Sequence, residues 1–96
     1  MSLVRSKKIM QSARGKQCTL RLVGICNFNP ETTVAAHVGV RRGMGIKCGD
    51  NMVVYACSAC HAEIDSSSRE SYAADKLRAV EETQEILVEE GLFTFA

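Results

Sequence analysis

The sequence predicts a small α+β domain that is stapled by a metal ion and spans residues 1–96. Three observations support this prediction. Cys18, Cys26, Cys57 and Cys60 supply the four soft ligands of a closed zinc site. Two short β-prone segments precede the second cysteine pair, and a long amphipathic pattern follows it. Because a chain of 96 residues without tryptophan builds only a small core, a structural zinc ion is expected to supply much of the stability.

The first elements are a basic arm and a cysteine-bearing turn. Residues 2–14 form a short basic helix or arm that ends at Gly15, since glycine at positive φ suits a helix stop. From Cys18 to Cys26, apolar and polar residues alternate, which predicts a hairpin or knuckle. Gly24 allows the turn that brings the two cysteines together.

Two strands flank a glycine-rich loop in the middle of the chain. Residues 32–38 (TTVAAHV) are β-prone and contain His37, and residues 52–56 (MVVYA) form the second strand. The loop from Gly39 to Gly49 contains four glycines and three basic residues. We therefore expect a flexible, basic connection between the strands.

Two helices complete the predicted order. Residues 59–65 begin a helix with the metal at its amino end, and residues 68–90 form an amphipathic helix closed by Gly91. The apolar stripe of this second helix consists of Tyr72, Leu77, Val80, Ile86 and Leu87. The helix is most simply a cover for the core, and it can also support a homo-oligomer.

Cysteine usage and hydropathy indicate the cellular compartment in which the protein is expected. The first residues open no apolar segment long enough for a signal peptide, and no run approaches the length of a membrane span. We therefore expect a cytoplasmic protein without membrane contact. Paired cysteines in a reducing compartment favour metal binding over disulfides.

Positive charge is concentrated in the first half of the chain. Residues 1–50 carry nine Lys and Arg against two acidic residues, whereas residues 51–96 carry three against nine. This asymmetry is typical of a protein that binds a polyanion through one basic surface. We therefore expect the partner to be a nucleic acid, with DNA favoured. The alternative to polyanion binding is that the acidic half of the chain packs on the basic half and neutralises its charge. The predicted phosphate-contacting residues are Arg14, Lys16, Arg41, Arg42 and Lys47.

The order of strand, loop, strand, Cys-Xaa-Xaa-Cys-His and helix resembles the ββα-metal finger of HNH-type nucleases. Over nearly its whole length the chain resembles more closely the small prophage-encoded nuclease family typified by YbcO. The motifs that carry this resemblance are residues 13–18 (ARGKQC), 24–27 (GICN) with 29–32 (NPET), 36–37 (AH), and 56–61 (ACSACH) with 63–65 (EID). The resemblance implies an HNH-like, zinc-stabilised endonuclease that processes or recombines phage or prophage DNA.

The resemblance also implies the roles of individual residues. His37 takes the position of the general base that activates water, and His61 takes that of the ligand for a divalent ion, Mg²⁺ or Mn²⁺, at the scissile phosphate. Many of these nucleases carry a second metal ligand before the base, where this chain has Ala36. Asp50 and Asn51 lie near the position of the central asparagine, one or two residues out of register. We expect Asp50 to be a metal ligand or a group that orients the base.

Each candidate residue also has a structural interpretation. His37 can be a buried, hydrogen-bonded histidine, and His61 can replace one of the upstream cysteines as a zinc ligand. Glu63 and Asp65 are expected to be favourable first-turn helix charges rather than ligands. Cys48 is expected to be a thiol without a role.

Three functions remain open at the level of the sequence. The leading one is a metal-dependent endonuclease, which His37 and His61 favour. The second is a catalytically inactive, zinc-stapled nucleic-acid-binding module, which Ala36 favours. The third is a protein-interaction adaptor that uses the acidic C-terminal helix.

Overall fold

The computed structural model describes residues 3–40 and 47–94. Within them lie three α-helices, one 3₁₀ turn and a two-stranded sheet. The elements in chain order are α1 (Lys7–Gln11), the 3₁₀ turn (Pro30–Thr32), β1 (Val34–His37), β2 (Val53–Ala56), α2 (Ser58–Asp65) and α3 (Ala73–Glu89). The predicted α+β architecture is therefore confirmed.

The sheet places His37 at one end of the core. β1 and β2 run antiparallel, with Val34 opposite Ala56 and His37 opposite Val53. All four residues of β2 are fully buried, which explains why its sequence is continuously apolar. Because His37 ends β1 opposite the start of β2, it lies close to the residues that precede β2 along the chain.

The core has two parts, which receive alternate residues of β2 and so lie on opposite faces of the sheet. The first contains Ile9 of α1, Val53 and Leu87. The second joins the knuckle, the sheet and both longer helices, and it includes Leu20, Leu22, Val54, Ala56, Ile64, Ala79 and Val80 together with three of the cysteines. Three of the four cysteines predicted to bind metal therefore belong to the core, and the fourth, Cys26, packs against it.

The N-terminal segment is shorter and more irregular than predicted. α1 has five residues, and the Ser6 hydroxyl caps it by accepting a hydrogen bond from the Ile9 N–H at 3.2 Å. Between Cys18 and Cys26 the chain forms turns instead of a hairpin. The N–H groups of this segment are satisfied by cysteine sulfurs and by the Tyr55 carbonyl, so no partner strand is required.

The final helix was predicted, but it begins at Ala73, five residues later than expected, and its buried face was assigned only in part. Val80 and Leu87 are buried as expected, whereas Leu77 is 63% exposed. The buried face instead includes Thr83, whose hydroxyl lies 2.9 Å from the hydroxyl of Thr19. A polar residue with a satisfied hydrogen bond can occupy the core, and a pattern of apolar residues alone does not detect it.

Part of the charge asymmetry is neutralised within the molecule. Arg21 lies 2.8 Å from Glu82 on α3, and Lys16 lies 2.7 Å from Glu90. Arg78 also contacts Glu82 at 2.7 Å. The acidic helix thus covers part of the basic half, as the alternative interpretation of the charges proposed. In the part of the chain that the structure describes, no helix is long and apolar enough to cross a bilayer.

Candidate functional site

Four cysteines converge at the junction of the knuckle, β2 and α2. The sulfur atoms of Cys18, Cys26, Cys57 and Cys60 all lie within 4.8 Å of one another, and the Cys26 and Cys57 sulfurs are 3.8 Å apart. Sulfurs in a tetrahedral zinc site are separated by about 3.8 Å, given Zn–S bonds of about 2.3 Å. The four thiols are therefore close enough to bind one metal ion, as the sequence predicted.

The backbone around the cysteines is arranged for negatively charged sulfur. The Cys18 sulfur accepts a hydrogen bond from Arg21 N–H at 3.3 Å, and the Cys60 sulfur accepts one from Leu22 N–H at 3.4 Å. Burial raises the pKa of the Cys57 thiol, but the N–H groups of Asn27 and Cys60 outweigh burial and lower it to about 7. Burial and the neighbouring thiols instead raise the pKa of Cys26 and of Cys60. Four thiols this close together cannot all ionise without a cation between them, so the cluster fits a metal ion that binds thiolates.

The other two candidate metal ligands, His61 and Cys48, lie outside the cysteine cluster. His61 pairs with Asp65 on α2 and is not part of the cysteine cluster, so a Cys3His site is not the arrangement observed. Cys48 also lies outside the cluster. It is buried and accepts a hydrogen bond from Gly39 N–H at 3.2 Å, which ties the two ends of the glycine-rich loop together.

His37 is held by Asp50. The His37 Nε2 atom lies 2.7 Å from Asp50 Oδ1, and the side chains are 9% and 7% exposed. The same carboxylate accepts a hydrogen bond from Ser6 N–H at 2.7 Å and lies 3.5 Å from Arg5. Both Asp50 oxygens are therefore engaged by protein groups. This geometry favours the base-orienting role over the metal-ligand role that the sequence left open.

The charge on Asp50 fixes the tautomer of His37. Burial raises the pKa of Asp50, but the hydrogen bonds from His37 and Ser6 and the charge of Arg5 together lower it below its usual value. An ionised carboxylate can only accept hydrogen bonds, so His37 Nε2 must donate. The lone pair of a neutral His37 is therefore on Nδ1.

Asn51 has a different environment from Asp50. Its carbonyl accepts a hydrogen bond from the Gln84 side chain at 2.8 Å. Its side-chain oxygen lies against Gly49, where a Cβ atom would collide with it. A catalytic role for Asn51 stays a prediction.

A second polar pair lies on α2. His61 Nε2 is 3.4 Å from Asp65 Oδ2, one helical turn away, and both side chains are accessible to solvent. Neither Glu63 nor Asp65 lies in the first turn of α2, so the interpretation of both residues as first-turn helix charges was wrong. Glu63 is engaged elsewhere, because its carboxylate accepts a hydrogen bond from Tyr72 at 2.7 Å.

A cleft of about 300 Å³ brings Asp65 and His37 together. Its polar lining is formed by His37, Asp65, Ser67, Arg69 and Lys76. His61 is not among the described residues that line the cleft, although it contacts Asp65, which does. Of the two histidines predicted from the sequence, the structure therefore places only His37 at the cleft. Sequence reasoning missed Asp65, Arg69 and Lys76, because nothing in their spacing along the chain marks them as neighbours of His37.

The basic residues predicted to contact nucleic acid have different environments in the structure. Arg14 and Lys47 are exposed. Lys16 is occupied by Glu90. Arg41 and Arg42 lie outside the described residues. Their roles stay predictions, and Lys16 is the weakest candidate because binding a phosphate would require it to exchange its carboxylate partner.

Comparisons with known proteins identify relatives of this chain and a structure with a similar fold. A family model described as "Putative nuclease YbcO" matches residues 7–92. A protein of Escherichia coli strain K12 named "Putative nuclease YbcO" is 40% identical over 90 residues, which cover 88% of this chain and 94% of the relative. A protein of Enterobacteria phage 82 named "Putative nuclease ybcO" matches with the same identity and coverage.

A solved structure shares the architecture. It is described as "Structure of a putative bacteriophage protein from Escherichia coli str. K-12 substr. MG1655", and it superposes with a TM-score of 0.68 at 36% identity. The match covers 85% of this chain and 98% of the other. The family resemblance found in the sequence is confirmed by these matches, and the chain belongs to the YbcO family, described as "Putative nuclease YbcO".

Proposed function

We propose that the protein is a metal-dependent endonuclease that hydrolyses phosphodiester bonds of nucleic acid, most simply DNA, in phage or prophage DNA processing. One observation carries the proposal. His37 lines a polar cleft with its Nε2 held 2.7 Å from an ionised Asp50, which leaves Nδ1 as a basic nitrogen. This is the arrangement of a general base with an orienting carboxylate.

The order of elements supports an HNH-like, ββα-metal type of site. β1 ends in His37, β2 leads into Cys57, and α2 carries His61 immediately after Cys60. The cysteine cluster anchors the amino end of α2, and the antiparallel register holds His37 beside β2. We assign zinc to the cysteine cluster, because four thiolates form a closed site that favours zinc over harder ions.

His61 and Asp65 fit a catalytic Mg²⁺ or Mn²⁺ ion. An imidazole nitrogen and a carboxylate oxygen that lie 3.4 Å apart on one helix face can both contact one ion. Mg²⁺ is commonly held by one or two carboxylates and keeps several waters, so two protein ligands are sufficient. When bound, the ion would offset negative charge on the phosphate and the leaving oxygen. Asp65 supplies the hard oxygen ligand that buried Ala36 cannot provide.

In this proposal His37 and Asp50 carry out the proton transfer. Nδ1 of His37 accepts a proton from the attacking water, and the imidazolium that forms is stabilised by the Asp50 carboxylate. Ser6 N–H and Arg5 keep Asp50 ionised and in place. The N-terminal arm therefore supports the base and is not only a candidate surface for nucleic acid.

The metal assignment is tested by titrating Mn²⁺ in a DNA cleavage assay. His61→Ala and Asp65→Ala are each expected to raise the Mn²⁺ concentration for half-maximal activity by at least about tenfold, because each removes a ligand. Glu70→Ala is the matched control, since Glu70 is an exposed acidic residue outside the cleft. An unchanged Mn²⁺ requirement in both site variants would place the ion elsewhere.

A second prediction concerns Asp50. Asp50→Asn is expected to lower the cleavage rate by about 10²-fold or more, because the amide can hold the wrong tautomer of His37 and cannot stabilise its charge. Asp75→Asn is the control, because Asp75 contacts only Arg78 among the ion pairs of the described residues.

The stability of the Asp50 variant provides an independent measurement. Since the folded protein lowers the pKa of Asp50, its carboxylate stabilises the fold above the unfolded value of about 3.9, and this contribution disappears as the pH falls through the lower, folded value. Wild type should therefore be more stable than Asp50→Asn at pH 7 and should lose that advantage in acid. If Asp50→Asn has the same cleavage rate and the same dependence of stability on pH as wild type, Asp50 does not orient the base.

The binding-module alternative rests on Ala36, which is buried and cannot bind metal. Purified wild-type protein that retains its zinc but cleaves no DNA or RNA with any common divalent ion would favour that alternative. Cleavage that disappears in the His37 variant would exclude it.

A further inference from the structure

Two cations lie in the cleft beside His37, and they differ from the basic residues that acidic side chains neutralise. Arg5, Lys16, Arg21 and Arg78 each form an ion pair with a carboxylate. Arg69 and Lys76 line the cleft beside His37, and neither takes part in an ion pair that the structure gives for residues 3–40 and 47–94.

The position of Lys76 is set by the backbone near Arg69. Lys76 Nζ donates to the Arg69 carbonyl at 3.1 Å, so the ammonium group is fixed close to the start of the Arg69 side chain. Both residues line the cleft. Two neighbouring cations without carboxylate partners form a site for an anion such as a phosphate.

An apolar groove of about 190 Å³ continues from this cation pair. Val38, Arg69 and Lys76 line both the cleft and the groove, and the other apolar surface of the groove includes Met52, Leu77 and Val80. Leu77 is 63% exposed although it is a large apolar residue on a helix. A polar, cationic cleft thus passes directly into an apolar surface.

We propose that the cleft and the groove together form a subsite for one unpaired nucleotide next to the scissile bond. Arg69 and Lys76 bind its phosphate beside His37, and the groove that includes Leu77 receives its sugar and the face of its base. This inference rests on the proposed nuclease function and specifies its substrate: single-stranded nucleic acid, or a strand whose bases are unpaired near the cut.

The preference for an unpaired nucleotide follows from the chemistry of the groove. The face of a base inside a duplex is stacked on its neighbours and cannot contact a protein surface unless it is unstacked at a cost of a few kcal/mol. Single-strand-binding proteins combine a cationic track for the backbone with aromatic side chains on which base faces stack. In this groove, aliphatic side chains and a methionine offer the apolar contact instead. An apolar groove contacts base faces rather than base edges, so the subsite should tolerate different sequences.

The apolar half of the subsite is tested by measuring binding without added divalent ion, so that no strand is cut. The probes are a fluorescent oligonucleotide of random sequence and the duplex formed with its complement. Wild type should bind the single strand more tightly. Leu77→Ser should weaken single-strand binding by about five- to tenfold and leave duplex binding unchanged.

Val88→Ser is the matched control for this substitution. Val88 is another exposed apolar residue of α3, 43% exposed, and it does not line the groove. Because both positions are exposed, neither variant should unfold the protein. Equal effects of the two substitutions, or equal wild-type affinity for single strand and duplex, would overturn the proposal.

The cationic half is tested by Arg69→Ala combined with Lys76→Ala, using a tetranucleotide too short to reach distant surfaces. The salt dependence, as the slope of log K against log salt concentration, should decrease by about one unit. The control is Lys7→Ala combined with Lys8→Ala, which removes the same amount of positive charge from α1. It should change the slope of log K against log salt concentration by less. A double variant of Arg69 and Lys76 that behaves like this control would also overturn the subsite.

These outcomes are separate from those of the proposed function. If wild type binds single strands through Leu77 and the cation pair but does not cleave them, the subsite stands and the nuclease proposal fails. If wild type cleaves nucleic acid and neither set of variants changes binding or cleavage, the nuclease proposal stands and the subsite fails.

Discussion

His37→Ala is expected to lower the rate of Mg²⁺- or Mn²⁺-dependent cleavage by about 10²–10⁴-fold, the usual contribution of a general base. The physical reason is the loss of the basic nitrogen of His37, a residue that lines the cleft. The zinc site should be unaffected, because His37 is separate from the cysteine cluster. Single-turnover cleavage measured with saturating enzyme separates this loss of chemistry from a loss of binding.

The alanine variant leaves Asp50 without its 2.7 Å partner, so a second variant is required. His37→Gln keeps an N–H donor for the carboxylate but has no basic nitrogen. It should fold like wild type, bind nucleic acid like wild type, and be as inactive as the alanine variant. Substantial cleavage by a folded His37→Gln protein would contradict the assignment of His37 as the base.

The sequence predicted the strands and the metal-binding cysteines because their signals are local or chemically specific. Val53 to Ala56 form a continuous apolar run, and the Cys57 and Cys60 spacing is a recognised metal-binding pattern. The pairing of Cys18 with Cys26 was also predicted correctly. The path between them was not, because its N–H groups bond to sulfur and to the Tyr55 carbonyl instead of forming a hairpin ladder.

The environment of the proposed base was less accessible to sequence reasoning. Asp50 was identified, but its two possible roles could be separated only by seeing Ser6 and Arg5 beside it. These residues are more than forty positions away in the chain. Asp65 and the cation pair were missed for the same reason, since the cleft is created by the packing of α2 and α3 around the end of β1.

Loss of the cysteine cluster is expected to have the largest effect on the fold. Structural zinc in small metal-folded peptides supplies an apparent binding free energy of about 10–16 kcal/mol at neutral pH, whereas whole domains are stable by only about 5–15 kcal/mol. Cys18, Cys57 and Cys60 are buried together with Leu20, Leu22 and Ile64 in one core cluster. Removing the metal therefore leaves thiols close together inside the core as well as cancelling the binding energy.

Cys57→Ser is accordingly expected to lose the metal and to unfold much of the chain at 25 °C. Metal content per chain and the far-ultraviolet circular dichroism spectrum measure these two effects. Cys48→Ser is the matched control, because Cys48 is equally buried but lies outside the cluster, and its hydroxyl analogue can still accept the Gly39 N–H. The control should retain one metal ion per chain and most of its secondary structure. A Cys57→Ser protein that is folded and contains a full complement of metal would show that the ion is not held by these four sulfurs.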